Sequence, residues 1–406
     1  MIIRYGSRHR QRGMATLLVS LLILVGATLI VMFSARTTLM EQRISGNEIR
    51  TKQALNVAQA GFDEAFAYLR AGGRNAGELF NNNLADGSSY RAVFWASASP
   101  PVFGPNNLCP NAPGIPAGRV VPPANFVQGT PPVRVPFIIF SCGWSDDRAA
   151  RQVVLMAARL MPPLPGNPPA PLIVGGYVDT SGRARAYNFH SDLTIWSGSS
   201  VTPTGRAGTS FVRNQEQHPN PPLITDPLPP LASNCTVGNN YICTTVGDNA
   251  GFDVIVDDAS LASKTGEQFF ESFIGTSKTA FKNDPSTINR TGQSLSGVTA
   301  EKIWIDGNLS LSGNIQIGTR DQPVILIVDG NLNVTGNVVF YGVLYVTGNF
   351  SSSGTPIFYG ATVVEGDNTA SAGTPSYVYD PLVFANLEPL GPVMVFAGTW
   401  RDWLAP

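Results

Sequence analysis

From residue 14 to residue 33 the chain carries no charge; Arg12 is the last charged residue before this run and Arg36 the first after it. Twenty helical residues at about 1.5 Å each span roughly 30 Å, the thickness of one hydrocarbon core. The pattern then changes. Leu55, Ala58, Phe62, Ala65, Phe66 and Leu69 recur at helical spacing, with Arg50, Lys52, Asp63 and Glu64 between them. No proline occurs before Pro100. The pattern predicts one helix over about 15–70, apolar all round in its first half and amphipathic in its second. Gly46-Asn47 is its weak point and Ala71-Gly72-Gly73 its stop.

Residues 75–135 are rich in Pro, Gly and Asn, with one expected strand at 90–96. Apolar runs at 137–142 and 151–160, around Asp146-Asp147, read as a hairpin packed on the amphipathic half of the helix. Prolines 162, 163, 165, 168, 169 and 171 mark a stiff linker and the main domain boundary.

Beyond the linker a repeat appears. Gly330, Gly348 and Gly366 lie 18 apart, as do Phe340-Tyr341-Gly342 and Phe358-Tyr359-Gly360. Gly307 precedes Gly330 by 23, which places a five-residue insertion at 319–323. A second glycine follows six residues after the first in 307/313, 330/336 and 348/354, so each 18-residue coil has three short sides. Leu309, Leu311, Ile315, Ile317, Leu326, Val328, Leu332, Val334, Val338, Phe340, Leu344 and Val346 are expected inside, with Ser310, Ser312, Gln316, Asn333 and Thr335 outside. Gly-Asn pairs are expected at the corners as positive-φ residues. The expected fold is therefore α+β, mainly β: a long N-terminal helix, a small β head, and a C-terminal β-solenoid, right- or left-handed, of about 18-residue coils. A β-sandwich would not require the period. Ile173-Val174-Gly175-Gly176 matches the same signature, so the solenoid is expected over 172–406, interrupted by an insertion at about 205–297. That insertion holds an amphipathic helix near 267–281, expected to cap a coil end. Trp400-Arg401-Asp402-Trp403 is expected to pack as a cap as well.

Composition narrows the setting. Charged residues make up 14% of the chain, against about 25% in average soluble proteins. The net charge of −1 gives no electrostatic case for nucleic acid. Low charge with many Gly and Pro residues suits an exported β-rich body. Four cysteines suit an oxidising compartment, and proximity favours Cys109–Cys142 and Cys235–Cys243 among three formal pairings.

The apolar run itself admits three readings. A secretory signal would be shorter and end in a small-x-small site, whereas Met32-Phe33-Ser34-Ala35 is bulky there. A plain anchor is the second. The third is a type IV prepilin leader at 1–13, cut after Gly13, which follows Arg4, Arg8, His9, Arg10 and Arg12. By the positive-inside rule the basic side stays cytoplasmic and the body is exported. Gln11-Arg12-Gly13-Met14-Ala15, the unbroken apolar run and residues 54–70 together resemble the N-terminal domain of PilX-like type IV pilus assembly proteins, the minor pilins. The resemblance implies a leader containing Arg10, Gln11 and Arg12, cleavage after Gly13 by prepilin peptidase, and methylation of the new amino terminus at Met14. It implies domains at 14–70 (pilin helix with a transmembrane half) and 71–161 (pilin-like head), ahead of the linker at 162–171. Most pilins carry glutamate at the fifth mature residue, here Leu18, and a subunit without that carboxylate is expected to start or cap a fibre. Implied partners are prepilin peptidase, other minor pilins, the major pilin, a tip adhesin, and the inner membrane before assembly. No cofactor is implied. The alternatives are a K-type minor pseudopilin of type II secretion and a membrane-anchored β-solenoid surface adhesin.

Candidate chemistry is sparse. Of the three histidines, His9 lies in the leader, while His190 and His218 lack companions at metal-ligand spacing and read as loop or packing residues. No Cys-x-x-Cys, Gly-x-Ser-x-Gly, phosphate loop or calcium repeat occurs. A lyase built on stacked coils needs projecting charges, and between 303 and 364 only Asp306, Arg320, Asp321 and Asp329 are charged. Asp306 and Asp329 precede Gly-Asn pairs and read as corner residues. Asp146-Asp147 and Asp257-Asp258 are calcium candidates that turn chemistry also explains. Tyr341 and Tyr359 are expected side by side on the solenoid's exterior, as a stacking ladder or a partner ridge. The expectation is a non-enzymatic protein.

Overall fold

The computed structural model describes residues 12–73, 80–95, 127–128, 133–134, 136–180, 184–202, 210–213, 241–245, 251–291 and 294–401. Helix α1 runs unbroken from Arg12–Arg70. Gly46 does not bend it, and a Cβ there would meet nothing within 4 Å. The helix stops at Gly72, whose φ of 81° only glycine adopts readily.

The second half of α1 packs on an antiparallel module. Its strands are Phe80–Asn83, Ser89–Trp95, Phe137–Trp144, Arg151–Leu160 and Val393–Val395, in that spatial order. The expected hairpin closes with Trp144 opposite Arg151. The fifth strand was expected in the C-terminal domain. It crosses back instead, with Val393 opposite Leu160 and Val395 opposite Ala158. Trp400-Arg401 comes after it: Arg401 bridges to Leu155, so this tail lies on the antiparallel sheet and not on a coil end.

The larger body is a 17-stranded sheet that curls on itself. Tyr341 pairs with Tyr359 and Leu332 with Phe350, each 18 residues on, in parallel register. Ile317 pairs with Phe340 and Val324 with Gly342, so the five extra residues do fall within 318–323. Three parallel ladders form. Eleven of the twelve residues expected inside lie in one buried core, and Ile315 packs against it.

The order of the layers departs from the sequence expectation. Leu172 and Val174 do not begin the stack; they pair with Thr362 and Val364, and on their other side with Ile195 and Ser197. The strands of this ladder are alike, short and buried, so spacing alone does not say between which two rows this one enters. The expected insertion also contributes to the sheet. Ser210–Arg213, Val254–Ile255 and Thr287–Arg290 all join it.

The expected helix at 267–281 is two helices, α3 (Gly266–Ile274) and α4 (Lys278–Lys282), preceded by a short α2 (Ala259–Ala262). Gly275, at φ 82°, ends α3 and Ser277 caps α4. They cover a side and do not cap an end. The chain travels from Val254–Ile255 at one end of the stack to Thr287–Arg290 at the other, laying Leu261, Phe269, Phe270, Phe273, Ile274 and Phe281 over the outward residues Trp304, Ile325, Ile327, Val343, Tyr345, Val363 and Ile173. The reason is in the strands: all five residues of 324–328 are fully buried, so this ladder is apolar on both faces and needs a cover. Leu164 and Ala170 of the proline segment join the same core, so that segment is packed and not a free spacer.

The expected positive φ holds at three Gly-Asn pairs, Gly307, Gly313 and Gly336 (84°, 89° and 93°), and not at every corner. Gly313, Gly336, Gly354 and Gly373 carry φ of 89–94°. Gly330, Gly348 and Gly366 do not; there a Cβ would lie 2.3–2.8 Å from the layer beneath. The asparagine beside them forms a ladder: Asn308 Oδ1 accepts from the N–H of Asn331, Asn331 from Asn349, and Asn349 from Asp367.

Candidate functional site: the N-terminal helix and its docking face

Arg10 and Gln11 lie outside the described residues. Arg12, Gly13 and Met14 are in α1. Leu18 projects with 61% of its surface exposed. From Leu17 to Ile49 the large apolar side chains of α1 are exposed, and the helix is long and apolar enough to cross a membrane. The hydroxyls in this half bond back to their own helix: Ser20 Oγ donates to Leu17 O (2.9 Å), Thr28 Oγ1 to Val25 O (2.9 Å) and Thr38 Oγ1 to Ser34 O (2.9 Å). In hydrocarbon that satisfies groups that no solvent would. The apolar pattern gives these hydroxyls no role; Ser20 and Thr28 lie inside the uncharged run and Thr38 just beyond Arg36.

Exposure ends near residue 54. Ala54, Val57, Ala58, Phe62, Ala65 and Leu69 are buried against the antiparallel sheet, while Leu55 and Phe66 are only half-buried. Of the expected stripe, Ala58, Phe62, Ala65 and Leu69 are buried, and Ala54 is buried in place of Leu55. Gly143 explains it. A Cβ there would lie 2.1 Å from Ala54 O and 2.4 Å from Ala58 N, so strand backbone touches helix backbone. Gly61 leaves room for side chains instead: a Cβ there would lie 2.5 Å from the Tyr90 ring and 2.6 Å from Ser141 Oγ.

Polar contacts fasten the start of this docked half. Arg50 Nε meets Asp147 Oδ2 at 2.6 Å in the 145–150 turn. Gln53 Nε2 donates to Asp86 Oδ2 at 3.1 Å. The Asp147 carboxyl is held below its usual range chiefly by the Ala149 N–H, and that of Asp86 by the Ser88 hydroxyl and then Gln53. Farther along, Tyr90 donates its hydroxyl to Glu64 (2.5 Å), and burial together with that carboxylate pushes the phenol's pKa up.

The other singled-out residues do not converge. Among the described residues no group of three His, Cys, Asp or Glu side chains is placed to hold a metal. Asp147 and Asp258 serve their own turn and helix cap. Asp306 and Asp329 stack in register; Lys282 pairs with the first and Thr347 donates to the second. His190 is partly buried, which lowers its pKa, and His218 lies outside the described residues. Tyr341 and Tyr359 do stack, at 4.6 Å and 7°. Tyr359 is fully buried, however, under Val383 and the Arg320 guanidinium, so the pair is no exposed ridge. Cys142 and Cys243 are disulfide-bonded; Cys109 and Cys235 lie outside the described residues.

Residues 12–63 match the family model for the PilX N-terminal domain. The N-terminus is PilX-like. The match covers the apolar half of α1 and most of the docked half, and it supports a type IV pilus protein anchored in a membrane by this helix. No curated protein and no solved structure matches the chain. The PilX-like segment ends before the curled sheet begins, so the 17-stranded body lies wholly outside the family match.

Proposed function

We propose that this chain is a minor pilin of the type IV pilus. Prepilin peptidase cuts after Gly13, Met14 becomes the methylated mature terminus, and the apolar half of α1 holds the subunit in the inner membrane before it enters the fibre. The antiparallel module acts as the pilin-like head, and the curled sheet is a β-solenoid displayed on the periplasmic and then outer side. Leu18 in place of a carboxylate suits a subunit that starts or caps a fibre. The proposed disulfides are Cys109–Cys142 and Cys235–Cys243. The function is structural: subunit-to-subunit contact with other minor pilins and the major pilin. One observation carries the reading, the PilX-like match laid over a helix that is bare and apolar in one half and docked in the other.

N-terminal sequencing of the mature protein, with and without prepilin peptidase, tests it. The expected mature chain starts at Met14 only when the peptidase is present, and Gly13→Glu leaves the leader in place. A chain starting at the same residue in both strains would overturn the reading.

A further inference from the structure

Two chain crossings join the antiparallel module to the curled body. The first leaves strand Arg151–Leu160 through Met161, whose N–H donates to Pro392 O at 2.8 Å, and continues into the proline segment. The second returns. Helix α5 (Pro381–Asn386) is fixed on the curled body: Arg320 Nε meets Asp380 Oδ2 at 2.6 Å, Asn386 Nδ2 donates to Arg320 O at 2.8 Å, and Leu387 is fully buried. Gly391 then passes so close to Met161 O that a Cβ would lie 1.7 Å from it.

The chain beyond Pro392 is held differently. Phe396 N–H donates to Ala157 O (2.9 Å), Ala157 N–H to Thr399 Oγ1 (3.1 Å), and Leu155 and Arg401 exchange two backbone bonds (2.9 and 3.0 Å). The side chains contribute less. Met394 is 39% exposed and Trp400 38%, while Val393 and Val395 are half-buried. Residues 393–401 thus grip through backbone bonds, with Val393 and Val395 only half-buried on the antiparallel core and Phe396 under the Arg159 guanidinium, and among the described residues none of their large side chains is fully buried.

We propose that residues 393–401 are a detachable strap. Closed, the strap fixes the curled body in one orientation on the antiparallel module. Open, it leaves, among the described residues, the proline segment, the Met161–Pro392 bond beside Gly391 and the contact of Gly72 with Ser286 to hold the two together, and the curled body swings. This does not rest on the proposed function: an uncut leader would leave it standing.

The test uses the full chain in detergent, with spin labels at Ala149→Cys and Ser312→Cys, two exposed sites on the two bodies. Wild type is expected to give one narrow distance. Met394→Pro removes a strand donor at an exposed side chain, and is expected to turn that distance into a broad distribution with strand content unchanged. A second pair, Arg159→Cys with Met394→Cys in the chain without spin labels, sits directly across the strands and at a separation that suits a disulfide; oxidised, it is expected to slow exchange of the Phe396 and Arg401 amides, and exchange unchanged by the cross-link would overturn the proposal. Hydrogen exchange on the otherwise unmodified chain is the independent readout. The amides of Leu155, Phe396 and Arg401 are expected to exchange as one unit, faster than the amides of Ser141 and Val154. A distance as narrow in Met394→Pro as in wild type would overturn the proposal, as would strap amides that exchange only with the rest of the sheet.

Discussion

The two halves of α1 are one unbroken helix in two environments. Up to Phe33 the helix shows Leu, Ile, Val, Met and Phe on every side, and among the described residues nothing from the chain covers them. From Ala54 on, its inward face is buried, with Phe62 and Leu69 set among small residues, and the sheet comes close enough for backbone to meet backbone at Gly143. Helix formation is common to both halves, since α1 is continuous across them. The first half is shaped for a solvent that the chain does not supply, and the second for a surface that it does. The PilX-like match spans the change, which makes the transition near Arg50 and Gln53 the feature to probe.

The largest expected effect is on the docked half. Phe62 is nearly buried among Phe94, Phe137 and Ile139, and Phe62→Ala is expected to cost the antiparallel module about 3–5 kcal/mol. Denaturant unfolding of the full chain in detergent measures it, with membrane retention unchanged. Loss of membrane retention in this variant would mean that the halves are not independent.

Val25→Arg is the reverse case. A cation at the middle of the apolar run costs roughly 2.5–3.5 kcal/mol on insertion, about a hundredfold in the partition. Membrane fractionation should show the protein released, while the antiparallel module keeps its unfolding midpoint in detergent. A retained protein would show that the apolar half is held by something other than hydrocarbon.

Much of this contrast can be read in the sequence, and the reason is local. An uncharged run, a switch to helical spacing and a period of 18 each show within a short window. Leu309, Leu332 and Phe350 announce their shared row by spacing alone, and the five extra residues after Ile317 appear as a broken interval. The failures are long-range. Leu172 fits the row beside Thr362 as well as it would fit any other, so nothing nearby says where the strand enters the stack. Val393–Val395 is three residues with no pattern of its own, and its partner lies more than two hundred residues earlier. The apolar pattern places Ala58, Phe62, Ala65 and Leu69 of the docking stripe correctly, but it ranks Leu55 and Phe66 above Ala54 and Gly61. Close approach selects the smaller side chains, and only the partner strand, through Gly143, reveals that.

Gly143→Ala tests this close approach with a smaller change. The added methyl meets helix backbone, which cannot swing aside as a side chain would. An overpacked interface of this kind costs about 1–3 kcal/mol. The expected result is a lower unfolding midpoint and faster exchange of the amides at 54–58. A stability equal to wild type would mean that helix and strand separate without cost, and the contrast between the halves would then rest on the larger side chains alone.

The smallest expected effect is a pH dependence confined to the transition. Asp86 and Asp147 both have pKa values lowered in the fold, by the Ser88 hydroxyl and Gln53 in the first case and by the Ala149 N–H, Ser145 and Arg50 in the second. A carboxylate with a depressed folded pKa contributes stability above its unfolded pKa, and that contribution fades as pH falls through the folded value. The melting temperature of the antiparallel module should therefore decline slightly as pH drops below the ordinary aspartate range, and Gln53→Ala should flatten the part of that decline owed to Asp86. Membrane partition of the apolar half should stay constant over the same range, because no titratable side chain lies between Thr16 and Ala35. A partition that changed with pH in step with the melting temperature would show that the docked half feeds back on the membrane half. The unbroken helix through Gly46 would then transmit more than position.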